Sequence, residues 1–162
     1  SPAKLIYEIK GKSELSYFWD DTGLVKGKCR PDWISDDGNI IVDIKTTTDA
    51  SPRGFQKSIS TWGYHLQLAW YMRGLQKLGI PCNEFIFIAI EKTPPFSVGV
   101  YSADREMILF GNQEINKLVV DIDKALKDKK FPDYTPEIMQ LGLPPWMTEK
   151  KQQPQHEDIE LY

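Results

Sequence analysis

Asp32, Asp43 and Lys45 are spaced so that a single hairpin would bring them together. They lie in the stretches Gly27-Lys-Cys-Arg-Pro-Asp32 and Val42-Asp43-Ile-Lys45. Between them runs Ser35-Asp-Asp-Gly-Asn39, followed by the β-branched Ile40-Ile41-Val42. An Asp-Gly pair flanked by apolar runs is a strong short-range hairpin signal. With Asp37-Gly38 as a two-residue turn, Asp36 stands opposite Asn39 and paired residue numbers sum to 75. That register sets Asp32 across from Asp43, with Cβ atoms about 4.5–5.5 Å apart. Lys45 is two residues beyond Asp43, on the same face and about 6.6 Å along the strand. Pro31 cannot donate to a ladder, so the first strand is expected to be an edge or to bulge there.

Two carboxylates this close repel each other unless a cation lies between them. Mg²⁺ suits such a patch, because it takes few carboxylates and keeps several waters. A bound divalent ion activates water and neutralises charge on a phosphodiester under attack. A neighbouring ammonium can hold that water and stabilise the pentavalent phosphate. The plainer reading is a solvated turn on which Lys45 pairs with Asp43, since patterns this short recur by chance.

The next element adds polar groups. A helix is expected from Phe55 to Leu78, ending at Gly79 with Pro81 beyond. On it Gln67 and Tyr71 stand at i,i+4, with Tyr64 one turn earlier. This polar stripe lies beside Trp62, Leu66 and Trp70, which follow the apolar spacing. Ordinary helix-to-sheet hydrogen bonding would also explain it. His65, next to such residues, reads as a packed side chain.

The remaining pattern supplies the frame. Residues 13 to 19 and 24 to 34 read as strands around the turn Asp20-Asp21-Thr22-Gly23. Residues 84 to 91 are apolar through the middle, as in a strand buried on both faces, and 96 to 101 alternate as its hairpin partner. A second long helix is expected from Asp104 to Lys127. The fold class is α/β, a mixed central β-sheet flanked by helices. Residues 1–146 read as one core, with Leu143-Pro-Pro-Trp146 able to pack on it, and 147–162 as a polar, disordered tail.

At 162 residues the chain is one domain's worth, and 41% hydrophobic with 27% charged residues is ordinary for a globular protein. Without an apolar run near the ~20 residues of a membrane helix, or a signal segment, a cytoplasmic place is expected. Two cysteines and two histidines argue against a disulfide framework or a zinc cage. The net charge of −3 counts against a general nucleic-acid binder, unless a locally basic groove faces an acidic site.

Pro31-Asp32, then Asp43-Ile-Lys45 on the next strand, then Gln67-x-x-x-Tyr71 on the following helix resembles the PD-(D/E)xK nuclease superfamily. Cys29-Arg-Pro-Asp-Trp-Ile34, Asp43-Ile-Lys-Thr-Thr47, Tyr64-His-Leu-Gln-Leu-Ala-Trp-Tyr71 and Leu143-Pro-Pro-Trp146 are similar to its RecE-type branch, exonuclease VIII. The resemblance covers roughly residues 12 to 147. It implies a restriction-endonuclease-like core that degrades linear double-stranded DNA from 5′ ends with Mg²⁺, for which Mn²⁺ substitutes, in phage-type recombination. It also implies that Asp32, Asp43 and the Ile44 carbonyl hold metal, that Lys45 is the catalytic lysine, and that Gln67 and Tyr71 orient water, Lys45 or phosphate. A homo-oligomeric ring around DNA and a single-strand annealing protein are the implied partners, with no membrane. Relatives carry an upstream helical segment that contributes to the site; this sequence starts after it, and Glu14 is the nearest internal acidic candidate. The alternatives are an endonuclease of the same superfamily and a non-catalytic DNA-binding domain that retains the fold. An iron–sulfur variant would need four cysteines.

Overall fold

The computed structural model describes residues 8–135 and 137–148. The chain divides into two units, Ser1–Lys130 and Phe131–Tyr162. In the first, the strands β1 (Gly11–Ser13), β2 (Tyr17–Asp20), β3 (Lys26–Cys29), β4 (Trp33–Ser35) and β5 (Ile40–Thr47) precede the helices α1 (Pro52–Trp62) and α2 (Tyr64–Lys77). The strands β6 (Glu84–Glu91) and β7 (Val98–Ser102) and the long helix α3 (Arg105–Asp128) follow. Five strands form a mixed sheet in the order β1-β4-β5-β6-β7, and β2 and β3 form a separate hairpin. Among the described strands only β5 and β6 pair in parallel, and the crossover between them is α1 and α2.

The core sits between the sheet and these helices. Ile41, Phe85 and Phe87 of the sheet meet Phe55 of α1 and Leu68 and Leu75 of α2, all at most 1% exposed. The helix α3 crosses α2 at Gly111, where a Cβ would lie 2.4 Å from the carbonyl oxygen of His65, so the approach needs a glycine. Cys29 and Cys82 are buried and unpaired, and burial pushes both thiols up to about 12.

Several expectations hold. The strand over 84–91 has those bounds, and the long second helix is capped by the Asp104 carboxylate, which accepts from the Met107 N–H. The hairpin register also holds, with Trp33 opposite Val42 and Ile34 opposite Ile41. The turn that sets it is different. Residues 36–39 form the loop, with Gly38 at φ 71° donating its N–H to the Ser35 carbonyl. The longer loop keeps the same pairing because the apolar alternation of both strands still points inward.

Three elements are broken where the sequence pattern runs on. Residues 13 to 19 are not one strand: β1 pairs with β4 in the large sheet, while β2 pairs with β3. Glu14, at φ 59°, makes the break. Residues 24 to 34 split likewise into β3 and β4 at Arg30-Pro31-Asp32. Pro31 therefore marks no edge, since β4 lies inside the sheet; it sits buried where the chain passes from one sheet to the other. The two breaks face each other, for the Glu14 N–H donates to the Asp32 carbonyl at 3.2 Å. The helix expected over 55–78 is interrupted at Gly63, φ 67°, whose N–H closes α1 on the Ile59 carbonyl before α2 starts at Tyr64.

In the second unit the described residues include the short helix α4 (Pro145–Thr148), in which Met147 N–H donates to the Pro144 carbonyl. Trp146 is exposed on it. Residues 149–162, which make up most of the expected tail, lie outside the described residues.

Candidate active site

Asp43 is carried on β5 with its side chain pointing into the layer under α2, and only 3% of that side chain is exposed. Its Oδ1 accepts a hydrogen bond from Gln67 Nε2 at 2.7 Å. Its Oδ2 is shielded from solvent. The ammonium of Lys45 lies 2.5 Å from that oxygen as an ion contact. Lys45 Nζ in turn donates to Gln67 Oε1 at 2.8 Å, so carboxylate, ammonium and amide close a ring of contacts. Gln67 can serve both neighbours because its amide carries a donor and an acceptor.

Asp32 stands at the break between β3 and β4 and is partly exposed. Its Oδ2 accepts the Ile44 N–H at 2.6 Å, a bond that pins the carboxylate beside β5. The pair is close enough to interact. Burial raises the Asp43 pKa, the Lys45 hydrogen bond and charge oppose that rise, and the Asp32 charge adds to it. Ile44 lies between Asp43 and Lys45 with its side chain on the opposite, exposed face, 42% accessible.

Tyr71 is one turn beyond Gln67 and is not in the hydrogen-bonded ring. Its aromatic ring packs toward Phe85, with centroids 6.5 Å apart. Glu14 is exposed and its carboxylate pairs with Arg30 Nε at 2.9 Å. His65 packs against Phe110 at 5.4 Å, as its helical context suggested. It lines a cavity of about 370 Å³ between α1, α2 and α3, to which none of Asp32, Asp43, Lys45 or Gln67 contributes.

One participant was visible in the sequence only as part of the polar stripe. The Tyr64 ring lies under the Lys45 ammonium, 4.8 Å from Nζ to centroid. Its signal was the i,i+3 spacing to Gln67, which puts both side chains on one face of α2.

Among the described residues no three His, Cys, Asp or Glu side chains gather into a metal-binding group. What does converge is a pair of carboxylates, Asp32 and Asp43, beside the Lys45 ammonium. That set fits a hard divalent ion that keeps most of its waters. It does not fit a thiolate- or imidazole-seeking metal.

A family model described as "PDDEXK-like domain of unknown function (DUF3799)" matches residues 3–141. The chain belongs to this family. Pro31-Asp32 at the sheet break and Asp43-Ile-Lys45 on β5 both lie within the matched residues. A search of curated proteins finds no match. Among solved structures, the PDDEXK-like domain is similar to a Eubacterium rectale protein provisionally described as an exonuclease. The TM-score is 0.63 and the identity 14%, over 87% of this chain and 57% of the other. The chain thus spans little more than half the length of that protein, and at this identity the likeness is one of fold. A phage-related exonuclease from Haemophilus somnus matches at TM-score 0.49 and 13% identity, over 80% of this chain and 67% of the other. An alkaline exonuclease from Laribacter hongkongensis matches at 0.44 and 16%, over 79% and 67%. No described helix is long and apolar enough to cross a membrane.

Proposed function

We propose that this domain is a metal-dependent deoxyribonuclease that degrades linear double-stranded DNA from its 5′ ends, with Mg²⁺ as the working ion. The observation that carries the reading is Asp43: a buried carboxylate close enough to a second one, Asp32, to feel its charge, with the Lys45 ammonium as its ion partner. Burying a charge in this way costs several kcal/mol and is hard to explain as a packing feature. A cation-binding role explains it.

In this reading Asp32, Asp43 and the Ile44 carbonyl hold the ion. A divalent ion there supplies charge neutralisation at the phosphate and an acidified water. The chain's own groups do the rest. Lys45 Nζ stabilises charge on the phosphoryl oxygens as water adds to phosphorus and the ester oxygen departs with a proton. Gln67 fixes Lys45 and Asp43 relative to each other, and Tyr71 orients water or phosphate at the mouth of the site. The resemblance to RecE-type exonucleases supports the 5′ polarity, a ring of identical copies threaded by the duplex, and an annealing-protein partner in phage-type recombination.

The test compares linear duplex DNA with covalently closed circles of the same sequence, with Mg²⁺ or Mn²⁺ present. Progressive shortening of the linear form with early loss of a 5′ label, and survival of circles, is expected. Cutting of circles would make the domain an endonuclease, and cleavage of neither form would leave a binding module. Crystals soaked in Mn²⁺ should show an anomalous peak within about 2.5 Å of both Asp32 and Asp43. A peak elsewhere removes the metal assignment.

A further inference from the structure

The ammonium of Lys45 has three N–H donors and three partners in the described structure. Asp43 Oδ2 lies at 2.5 Å and Gln67 Oε1 at 2.8 Å. The third partner is the face of Tyr64, at 4.8 Å. Two of the three are neutral. An ammonium held only by Asp43 would lose its anchor whenever something else neutralised that carboxylate. The Gln67 carbonyl and the Tyr64 ring remain available to it in either case.

The backbone builds this socket on purpose-shaped ground. The αL residue Gly63 ends α1 and restarts the helix at Tyr64, so that Tyr64 and Gln67 open α2 on one face above β5. A Cβ at Gly63 would touch nothing nearer than Leu66 at 3.5 Å, so glycine serves the φ of 67° rather than space. The Tyr64 ring is fixed from behind by Phe55 and Phe87, with centroids at 6.1 and 6.3 Å. The side chain of Lys45 is only 16% exposed, and a cation over a ring is held more strongly where water is scarce.

We propose that Tyr64 is a positioning residue of this site, whose aromatic face, together with the Gln67 carbonyl, holds the Lys45 ammonium at the place where phosphate is to be attacked. This rests on the nuclease reading. The role belongs to the ring and not to the hydroxyl, which makes it separable from ordinary packing.

The experiment is a substitution series at position 64 in the full chain, read on linear duplex DNA. Tyr64→Phe keeps the ring and should hold kcat within about two-fold, whereas Tyr64→Leu should lower kcat about ten-fold at nearly unchanged KM. Replacing Tyr64 by phenylalanines carrying one, two and three fluorines drains the ring face of negative potential at almost constant volume. The logarithm of kcat should fall stepwise along that series while Tm stays level. Ile115→Ala, which cuts the separate core cluster of Val25, Ala69 and Val119 away from Lys45, should lower Tm and spare kcat. Loss of activity in Tyr64→Phe equal to that in Tyr64→Leu, or a flat fluorine series, would overturn the proposal.

A second readout needs no catalysis. In metal-free protein the ε-methylene NMR signal of Lys45, assigned by its loss in Lys45→Arg, should be shifted upfield by the ring in the parent and in Tyr64→Phe. It should return downfield in Tyr64→Leu. An unshifted parent signal overturns the contact itself. A parent that cuts no DNA but keeps the shifted signal defeats the nuclease reading and leaves the socket standing.

Discussion

Asp21 and Asp43 both bury their side chains against cations, distant ones for Asp21 and the nearby Lys45 for Asp43, and the fold treats them in opposite ways. Asp21, with its side chain fully covered, accepts from Trp19 Nε1 at 3.1 Å, Arg73 Nε at 2.7 Å, Arg73 Nη2 at 2.8 Å and Thr22 Oγ1 at 3.2 Å. Lys77 adds an ion pair at 3.5 Å. Arg73 also donates to Asn116 at 2.6 Å, so the cluster ties the β2–β3 turn to α2 and α3. Burial pushes the Asp21 carboxyl up, but the hydrogen bonds from Arg73 and Trp19 and the charges of Arg73 and Lys77 outweigh it and hold it at about 2. Asp43 has one aligned hydrogen bond and one ion contact, and burial wins: its pKa is raised. A buried charge that is fully partnered is a staple. One with fewer partners, and with a second carboxylate beside it, is poised for a ligand that brings positive charge.

Four experiments press on that contrast. Lys45→Ala should lower cleavage of linear DNA by about 10²–10³-fold, with the circular dichroism spectrum and Mn²⁺ affinity unchanged. Activity near the parent's would return Lys45 to the status of a surface charge. Asp21→Asn should do the reverse. Stranding Arg73 without its bidentate partner should cost about 3 kcal/mol in urea unfolding and leave kcat alone. An unchanged urea midpoint would show that the cluster staples nothing.

The third concerns acid. The folded carboxyl of Asp21 lies below its ordinary value of 3.8, at about 2. Its stabilising contribution, at most about 2.5 kcal/mol, is therefore complete above about pH 5 and lost as pH falls through about 2. Acid unfolding of the parent should be steep in that window and shallower in Asp21→Asn. The smallest effect is thermal. Mg²⁺ at ten times its dissociation constant should stabilise the parent by about 1.4 kcal/mol, read as a rise in Tm. Asp43→Asn should show no rise, and an equal one would move the ion away from Asp43.

The uneven legibility of the fold has a physical pattern. The hairpin register, the strand over 84–91 and the helix after Asp104 rest on periodicity and caps within a few residues, so they could be read directly. The Gly63 break was hidden because the apolar spacing runs straight through it, from Ile59 and Trp62 to Leu66. The division of the two N-terminal strands between two sheets was hidden because Glu14 at φ 59° carries no compositional mark. Asp21 looked like a turn residue, since the partners that bury it are 52 and 56 positions away, at Arg73 and Lys77.

The sequence by itself determined that Asp32, Asp43 and Lys45 share one patch, because strand alternation and a hairpin loop are local and a two-residue spacing fixes the face. It also placed Gln67 and Tyr64 on one side of a helix. Only the tertiary structure decided that this helix lies over that patch. The β5–β6 crossover carries α2 across the sheet, and the Gly63 break sets where it begins. The same crossover decided which buried aspartate would be fully partnered and which would not. Burial and partner count depend on what distant segments bring, and no local pattern encodes them.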